Sequence, residues 1–309
     1  MGKTRTITES QSDSFLKELF SHRTVLANLL HFYVPEFSEV DIETIVDNCI
    51  LPIGTTERIQ TNNTDYYVND THFDLVFHVR PPNAANKQDR LIINLEFQNN
   101  LNPHCKIIKR GIYYSSCLLV DEKEKLFQDS HYEDLKKVYS IWICPNSPNS
   151  IANSIHYYDI SEHLNGDSAK SLIKRKAHDL IEMKLIFLNK IKLPTLGTGF
   201  HLLHTLINSP LTPQERADIL EQHYSIVFNK EKFEMYDIIK DHEDFARKEG
   251  RREGRREGRK EGLKEGENVA YFKSVKRMLD KGVSPEQIRE YLGLTQEQLD
   301  TFNHKFVTT

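Results

Sequence analysis

"LIINLEFQN", residues 91–99, decides how the chain is read. As a strand of period two it sends Leu91, Ile93, Leu95 and Phe97 to one face, and Ile92, Asn94, Glu96 and Gln98 to the other. An apolar inner face backed by a carboxylate and two amides has two explanations. One is an ordinary solvated sheet face. The other is a chemical site.

The preceding stretch bears on that choice. "THFDLVFHVR", residues 71–80, alternates as well, with Phe73, Leu75, Phe77 and Val79 on one side and His72, Asp74, Val76, His78 and Arg80 on the other. Between the two runs lies "PPNAANKQD", whose prolines and asparagines predict a hairpin loop. With Arg80 opposite Arg90, antiparallel pairing places Asp74 opposite Glu96 and His72 opposite Gln98. A register slip of two still leaves both carboxylates on one face. Like charges facing each other across a sheet are destabilising. A hard divalent cation reverses that sign: Mg²⁺ takes one or two carboxylates and completes its shell with water and phosphate oxygens. Such an ion activates water and neutralises charge developing on a phosphodiester. Gln98 is placed to orient that water, but an amide supplies no positive charge. Spacing alone leaves the metal site and the solvated face both open.

Outward from this hairpin, residues 12–34 predict one helix, with Phe15, Leu19, Leu26, Leu29, Leu30 and Tyr33 at helical spacing. "CILPIG" (49–54) is strand-like, residues 105–120 predict a helix, "VYSIWIC" (138–144) predicts a buried strand, and helical patterns dominate from about 168 to 248. This order predicts a mixed α/β fold with helices against a small sheet. No Gly-rich phosphate loop follows a strand and no H-E-x-x-H is present. His201 and His204 stand at i, i+3 in an apolar helix without an evident third ligand, which favours a structural role.

The formal charge of −4 carries no global basic signature, so any nucleic-acid contact must come from local patches. Cys49, Cys105, Cys117 and Cys144 lie far apart, as thiols of a reducing compartment do rather than a disulfide framework or zinc site. The first residues hold no apolar run and no stretch reaches membrane-spanning length, so a cytoplasmic protein without a membrane partner is expected.

From Glu249 a four-residue repeat begins, "EGRREGRREGRKEGLKEGE", with glycine at 250, 254, 258, 262 and 266. As a helix it gains modestly from i, i+3 ion pairs. Each glycine costs about 1 kcal/mol relative to alanine. Residues 247–267 hold nine basic and six acidic side chains, which suits a solvated spacer, helix association through the glycine stripe, or phosphate contact. Further on, "SPEQ" (284–287) and "TQEQ" (295–298) are capping boxes on either side of a glycine stop at Gly293, the outline of a small helical module. The expected division is 1–235 as the α/β domain, 236–267 as the charged repeat helix or linker, and 268–309 as the module.

At the acidic pair the sequence resembles the PD-(D/E)XK nucleases, in which an Asp on one strand is followed by Glu-x-Lys on the next. It is most similar to the recombination-promoting nuclease (Rpn) and transposase-associated branch, where the last motif often reads E-x-Q. The resemblance rests on "SDSFLKELF", "FDLVF" with Asp74, "NLEFQN" with Glu96 and Gln98, "KRGIYYSS" with Arg110, Tyr113 and Tyr114, "HYEDLKKVYSIWIC", and the "EGRREGRREG" tail. It covers roughly residues 10–230. The resemblance implies a restriction-endonuclease-like core, a small mixed sheet flanked by helices, followed by a helical C-terminal tail. It implies Mg²⁺ or Mn²⁺ and hydrolytic cleavage of DNA, with a link to recombination or mobile elements. Asp74 and Glu96 would be metal ligands. Gln98 would stand where most of the superfamily has lysine, so restoring that lysine is expected to retain or raise activity. Arg110, which shares a helix face with Tyr114 and Cys117, is expected to contact substrate phosphate together with Tyr114, or else to form a structural ion pair. DNA is the expected partner, and the repeat a route to a homo-oligomer. Two other readings stay open: a DNA-binding protein that has lost turnover, and a non-enzymatic assembly module built on the repeat.

Overall fold

The computed structural model describes residues 11–52, 66–68, 71–84, 89–98, 107–126, 132–163, 165, 178–189 and 194–295. Contacts divide the chain into two compact units, residues 1–239 and 240–309.

The first unit is mixed α/β. It opens with α1 (Gln11–Phe20), α2 (Arg23–Tyr33) and the single turn α3 (Ile42–Thr44). A two-stranded ribbon, β1 (Tyr66–Val68) with β2 (Thr71–Phe73), precedes the main sheet. That sheet has five strands: β3 (Leu75–Val79), β4 (Leu91–Phe97), β5 (Val138–Cys144), β6 (Ser154–Asp159) and β7 (Ile181–Phe187), in the order β3-β4-β5-β7-β6. The β3–β4 and β6–β7 pairs are antiparallel, and β4–β5 and β5–β7 are parallel. The parallel step from β4 to β5 is spanned by α4 (Ile107–Leu126). Parallel strands need such a crossover, and the helix covers the sheet face it crosses.

Both faces of the central strands β4 and β5 are therefore buried. On one side Leu91, Ile93 and Leu95 join Leu75, Phe77, Tyr139, Ile141 and Ile186 in the large core shared with α1 and α2. On the other, Ile92 and Val138 meet Cys117 and Leu118 of α4, and Trp142, Met183 and Leu185 form an adjoining cluster. Gly111 lets α4 settle this close: a Cβ there would stand 2.0 Å from Met183 Sδ. Helices α5 (Gly199–Leu203) and α6 (Pro213–Tyr224) complete the large core, which receives Leu202, Leu203, Leu220 and Tyr224. The helical remainder is α7 (Lys230–Leu279) and α8 (Pro285–Leu292).

Several local expectations change. The helix expected over 12–34 is two helices. Ser21 Oγ turns back to the Glu18 carbonyl at 2.7 Å, and His22 is extended at φ −67°, ψ 126°. "THFDLVFHVR" is not one strand, because it bends at Asp74. Phe73 consequently joins the α4-side cluster while Leu75 joins the large core, and His72 pairs with Tyr67 in the ribbon. "CILPIG" contributes one isolated bridge, Ile50 to Val79, after a π-helical turn over Ile45–Cys49. The region from 168 to 248 contains β7, whose "IEMKLIF" hides its strand character behind Glu182 and Lys184. Those two pair at 2.9 Å, and Lys184 also donates to the Tyr33 carbonyl. His201 and His204 are core residues: His201 Nδ1 meets the Tyr224 hydroxyl at 2.9 Å, and His204 Nε2 meets Asn153 Oδ1 at 3.1 Å. Ser284 caps α8 in a reciprocal capping box and Gly293 ends it at φ 61°. Of the two expected boxes, "TQEQ" lies outside the described residues after Thr295, and Cys105 lies outside them as well.

Candidate active site

The β3–β4 register is the expected one, with Leu75 opposite Leu95, Phe77 opposite Ile93 and Val79 opposite Leu91. Continued by one residue, it brings Asp74 to Glu96 at the carboxyl end of β4. Two bonds tie Asp74 to the end of β4, one to Glu96 and one to its neighbour Phe97. Asp74 Oδ2 accepts the Phe97 N–H at 2.8 Å, and the Asp74 N–H donates to Glu96 Oε1 at 3.4 Å. The bend at Asp74 thus turns its backbone and side chain toward the end of β4.

The solvated-face explanation does not survive. Glu96 is 3% exposed and Asn94 0%, because α4 lies over the face they occupy. Burial disfavours a charged carboxylate. Glu96 is pushed well above the usual carboxylate range, first by burial and second by Asp74; the Asp74 N–H, Arg110 and Lys17 oppose the shift.

One basic residue touches the pair, and a second lies near enough to act on Glu96 electrostatically. Lys17 of α1 places Nζ 3.6 Å from Asp74 Oδ1, with only 10% of its side chain exposed. Arg110, on α4, donates from Nη1 to Gln98 Oε1 at 2.8 Å and from Nη2 to the Tyr114 hydroxyl at 3.4 Å. Its guanidinium lies over the Trp142 ring at 4.9 Å and the Tyr114 ring at 5.3 Å, a cation–π arrangement that fixes its plane. Trp142 is held in turn, since its indole N–H donates to Ser140 Oγ at 2.9 Å, where Asn94 Nδ2 also donates at 3.2 Å. Burial raises the Tyr114 phenol above its ordinary pKa, against the pull of Arg110.

The five residues singled out in the sequence gather near the carboxyl end of β4 in two groups, Asp74 with Glu96 and Arg110 with Gln98 and Tyr114, and Arg110 acts on Glu96 electrostatically. Lys17 and Trp142 were not singled out. Lys17 stands in an amphipathic helix far from Asp74 in sequence, and nothing in its spacing announces the contact. Trp142 carried a weak signal: Ser140 interrupts an apolar strand on the face that Trp142 shares.

A divalent cation suits this donor set. Two carboxylates converge, one of them buried where charge is costly without a counter-ion. Among the described residues no group of three or more His, Cys, Asp or Glu converges as a metal cage. An ion held by Asp74 and Glu96 would draw its remaining oxygens from water and substrate, which is usual for Mg²⁺. Among the described residues no helix is long and apolar enough to cross a membrane. Compared with protein-family models, with curated proteins and with solved structures, the chain matches none.

Proposed function

We propose that this protein is a metal-dependent DNA endonuclease of the Rpn-like kind, built on a restriction-endonuclease-like core. The observation that carries the reading is the burial of Glu96 against Asp74 at the end of β4, with cationic side chains arriving from both α1 and α4. A sheet arranged for stability alone has no use for two adjoining carboxylates there.

Asp74 and Glu96 would hold the ion, and Mg²⁺ or Mn²⁺ would supply water activation and charge neutralisation when bound. Gln98 accepts from Arg110 through its carbonyl oxygen and so ties the guanidinium to the end of β4. Lys17 contributes the positive charge that Gln98 lacks, from a different direction. Arg110, with its plane fixed by Trp142 and Tyr114, is suited to a phosphodiester oxygen. In the reaction water forms a bond to phosphorus and one P–O ester bond breaks. The water's proton ends on the departing alkoxide, leaving a phosphate monoester and a free hydroxyl.

The test is incubation with supercoiled DNA, with Mg²⁺ or with chelator. Nicked or linear DNA is expected only with Mg²⁺, and not from Asp74→Ala or Glu96→Ala. Contaminant-free cleavage at the wild-type rate by both variants would remove the site assignment. DNA binding without cleavage by the wild type would leave a binding protein that has lost turnover.

A further inference from the structure

Helix α7 carries five glycines, at 250, 254, 258, 262 and 266, that the folded chain does not use. A Cβ at any of them would meet nothing within 4 Å. No turn, close approach or left-handed backbone requires them, and each disfavours the helix relative to alanine. Residues 248–263 and 265–271 are all exposed.

The charges around this ridge are sorted by side. With about 100° of rotation per residue, the residue three before a glycine lies about 60° to one side, and the residue three after lies about 60° to the other. Around Gly254 these are Arg251 and Glu257; around Gly258, Arg255 and Glu261; around Gly262, Arg259 and Glu265. The glycine ridge is thus bordered by arginine along one flank and glutamate along the other. Ion pairs within the helix use a different arginine column, Arg252 with Glu249 at 3.5 Å and Arg256 with Glu253 at 3.7 Å.

We infer that two copies of this chain associate through the glycine ridge of α7, side by side and parallel. In a parallel pair each flank faces the opposite flank of the partner, as g faces e in a parallel coiled coil. Arg251, Arg255 and Arg259 of one copy then face Glu257, Glu261 and Glu265 of the other, on both sides of the contact. An antiparallel pair sets arginine against arginine and glutamate against glutamate. Glycine lets the backbones approach closely enough for these short-range pairs to form. A nucleic acid would use the arginine flank but would be repelled by the glutamate flank, and it has no use for the glycines. The inference is independent of the nuclease reading.

Sedimentation of the full-length protein over a range of concentrations tests it, beside the triple variant Gly254→Gln, Gly258→Gln, Gly262→Gln. Glutamine is a good helix former, so the variant keeps α7 while blocking close approach. The wild type is expected to dimerise, and the variant to dissociate with a constant raised more than roughly tenfold. A monomeric wild type, or a dimer unaffected by the three glutamines, overturns the inference. Cysteine cross-linking then reads direction. In the parallel pair Gly254→Cys links to itself and Gly262→Cys to itself. Links only in a mixture of the two indicate the antiparallel pair and overturn the assignment. A wild type that stays monomeric and loses DNA affinity when the glycines are filled makes the ridge a nucleic-acid surface instead.

Discussion

Lys17 Nζ and Asp74 Oδ1 stand 3.6 Å apart, linking the first helix to the bend that precedes β3. Lys17 is almost fully buried, so its ammonium acts in a medium of reduced dielectric, where a charge has more effect than in water.

From this contact Lys17→Met is expected to lower single-turnover cleavage of DNA by about 10²-fold, the size of loss found when one preorganised electrostatic partner is removed. Lys17→Arg, which keeps the charge, should recover part of that loss. A purely structural lysine gives another pattern: both variants lose melting temperature in proportion to activity, and Mg²⁺ binding is unchanged. Melting curves and cleavage rates on the same preparations separate the two.

Gln98→Lys looked from the sequence like the restoration of a missing cation. The Arg110 contact reverses the expectation. Gln98 Oε1 accepts from Arg110 at 2.8 Å, so a lysine would place a second cation against the guanidinium and remove its acceptor. Cleavage by Gln98→Lys is expected to fall by about tenfold or more, the loss of one charge-assisted bond of about 1.5–3 kcal/mol. Gln98→Met, which removes the acceptor without adding charge, should be less severe. An activity gain in Gln98→Lys would show that Arg110 does not depend on Gln98.

The hairpin was legible because its alternation is strict and its loop is marked by proline and asparagine. Those two features fix the register and with it the meeting of Asp74 and Glu96. What lay across the second face was not legible. Asn94 and Glu96 look like solvent-facing residues until α4 covers them, and α4's approach depends on Gly111 standing over Met183. The β7 strand was hidden for a related reason. Lys184 reads as a surface residue, yet it is buried and satisfied by Glu182 and the Tyr33 carbonyl, a contact across more than a hundred residues. Lys17 belongs with these. Periodicity finds a residue's face, while its partner is set by how elements pack.

The buried histidines set an acid limit on stability. Burial holds His201 below its ordinary pKa, with His223 as the lesser cause, and brings His204 down to about 4, with His201 as the lesser cause. An unfolded histidine takes up its proton near 6.5, so the unfolded chain binds more protons below that pH. Stability is then full above 6.5 and declines as pH falls from 6.5 toward 4, by up to about 1.4 kcal/mol per pH unit for each histidine concerned. His204→Gln should flatten the fall in melting temperature between pH 6.5 and 5. An unchanged slope would place the acid sensitivity elsewhere.

Glu96 contributes with the opposite sign. Its folded pKa is raised well above 4.5 by burial and by Asp74, so above that pH the folded chain holds a proton that the unfolded chain releases. Its contribution falls as pH rises from 4.5 to the folded pKa, by up to about 1.4 kcal/mol per pH unit. Glu96→Gln keeps the volume and removes the ionisation. The metal-free variant should therefore melt at or above the wild type, with a margin that widens from pH 5 upward. A bound cation requires Glu96 to be ionised, so Mg²⁺ must displace its proton and bind more tightly as pH rises. At ten times the dissociation constant Mg²⁺ should stabilise the wild type by about 1.4 kcal/mol. In Glu96→Gln that gain should shrink, because one anionic ligand is gone. Melts of both proteins at several pH values, with chelator and with Mg²⁺ at fixed ionic strength, decide the matter. Equal Mg²⁺ shifts in the two would place the ion away from Glu96. A metal-free Glu96→Gln that melts well below the wild type at neutral pH would mean that the carboxylate is stabilised by its neighbours rather than strained among them.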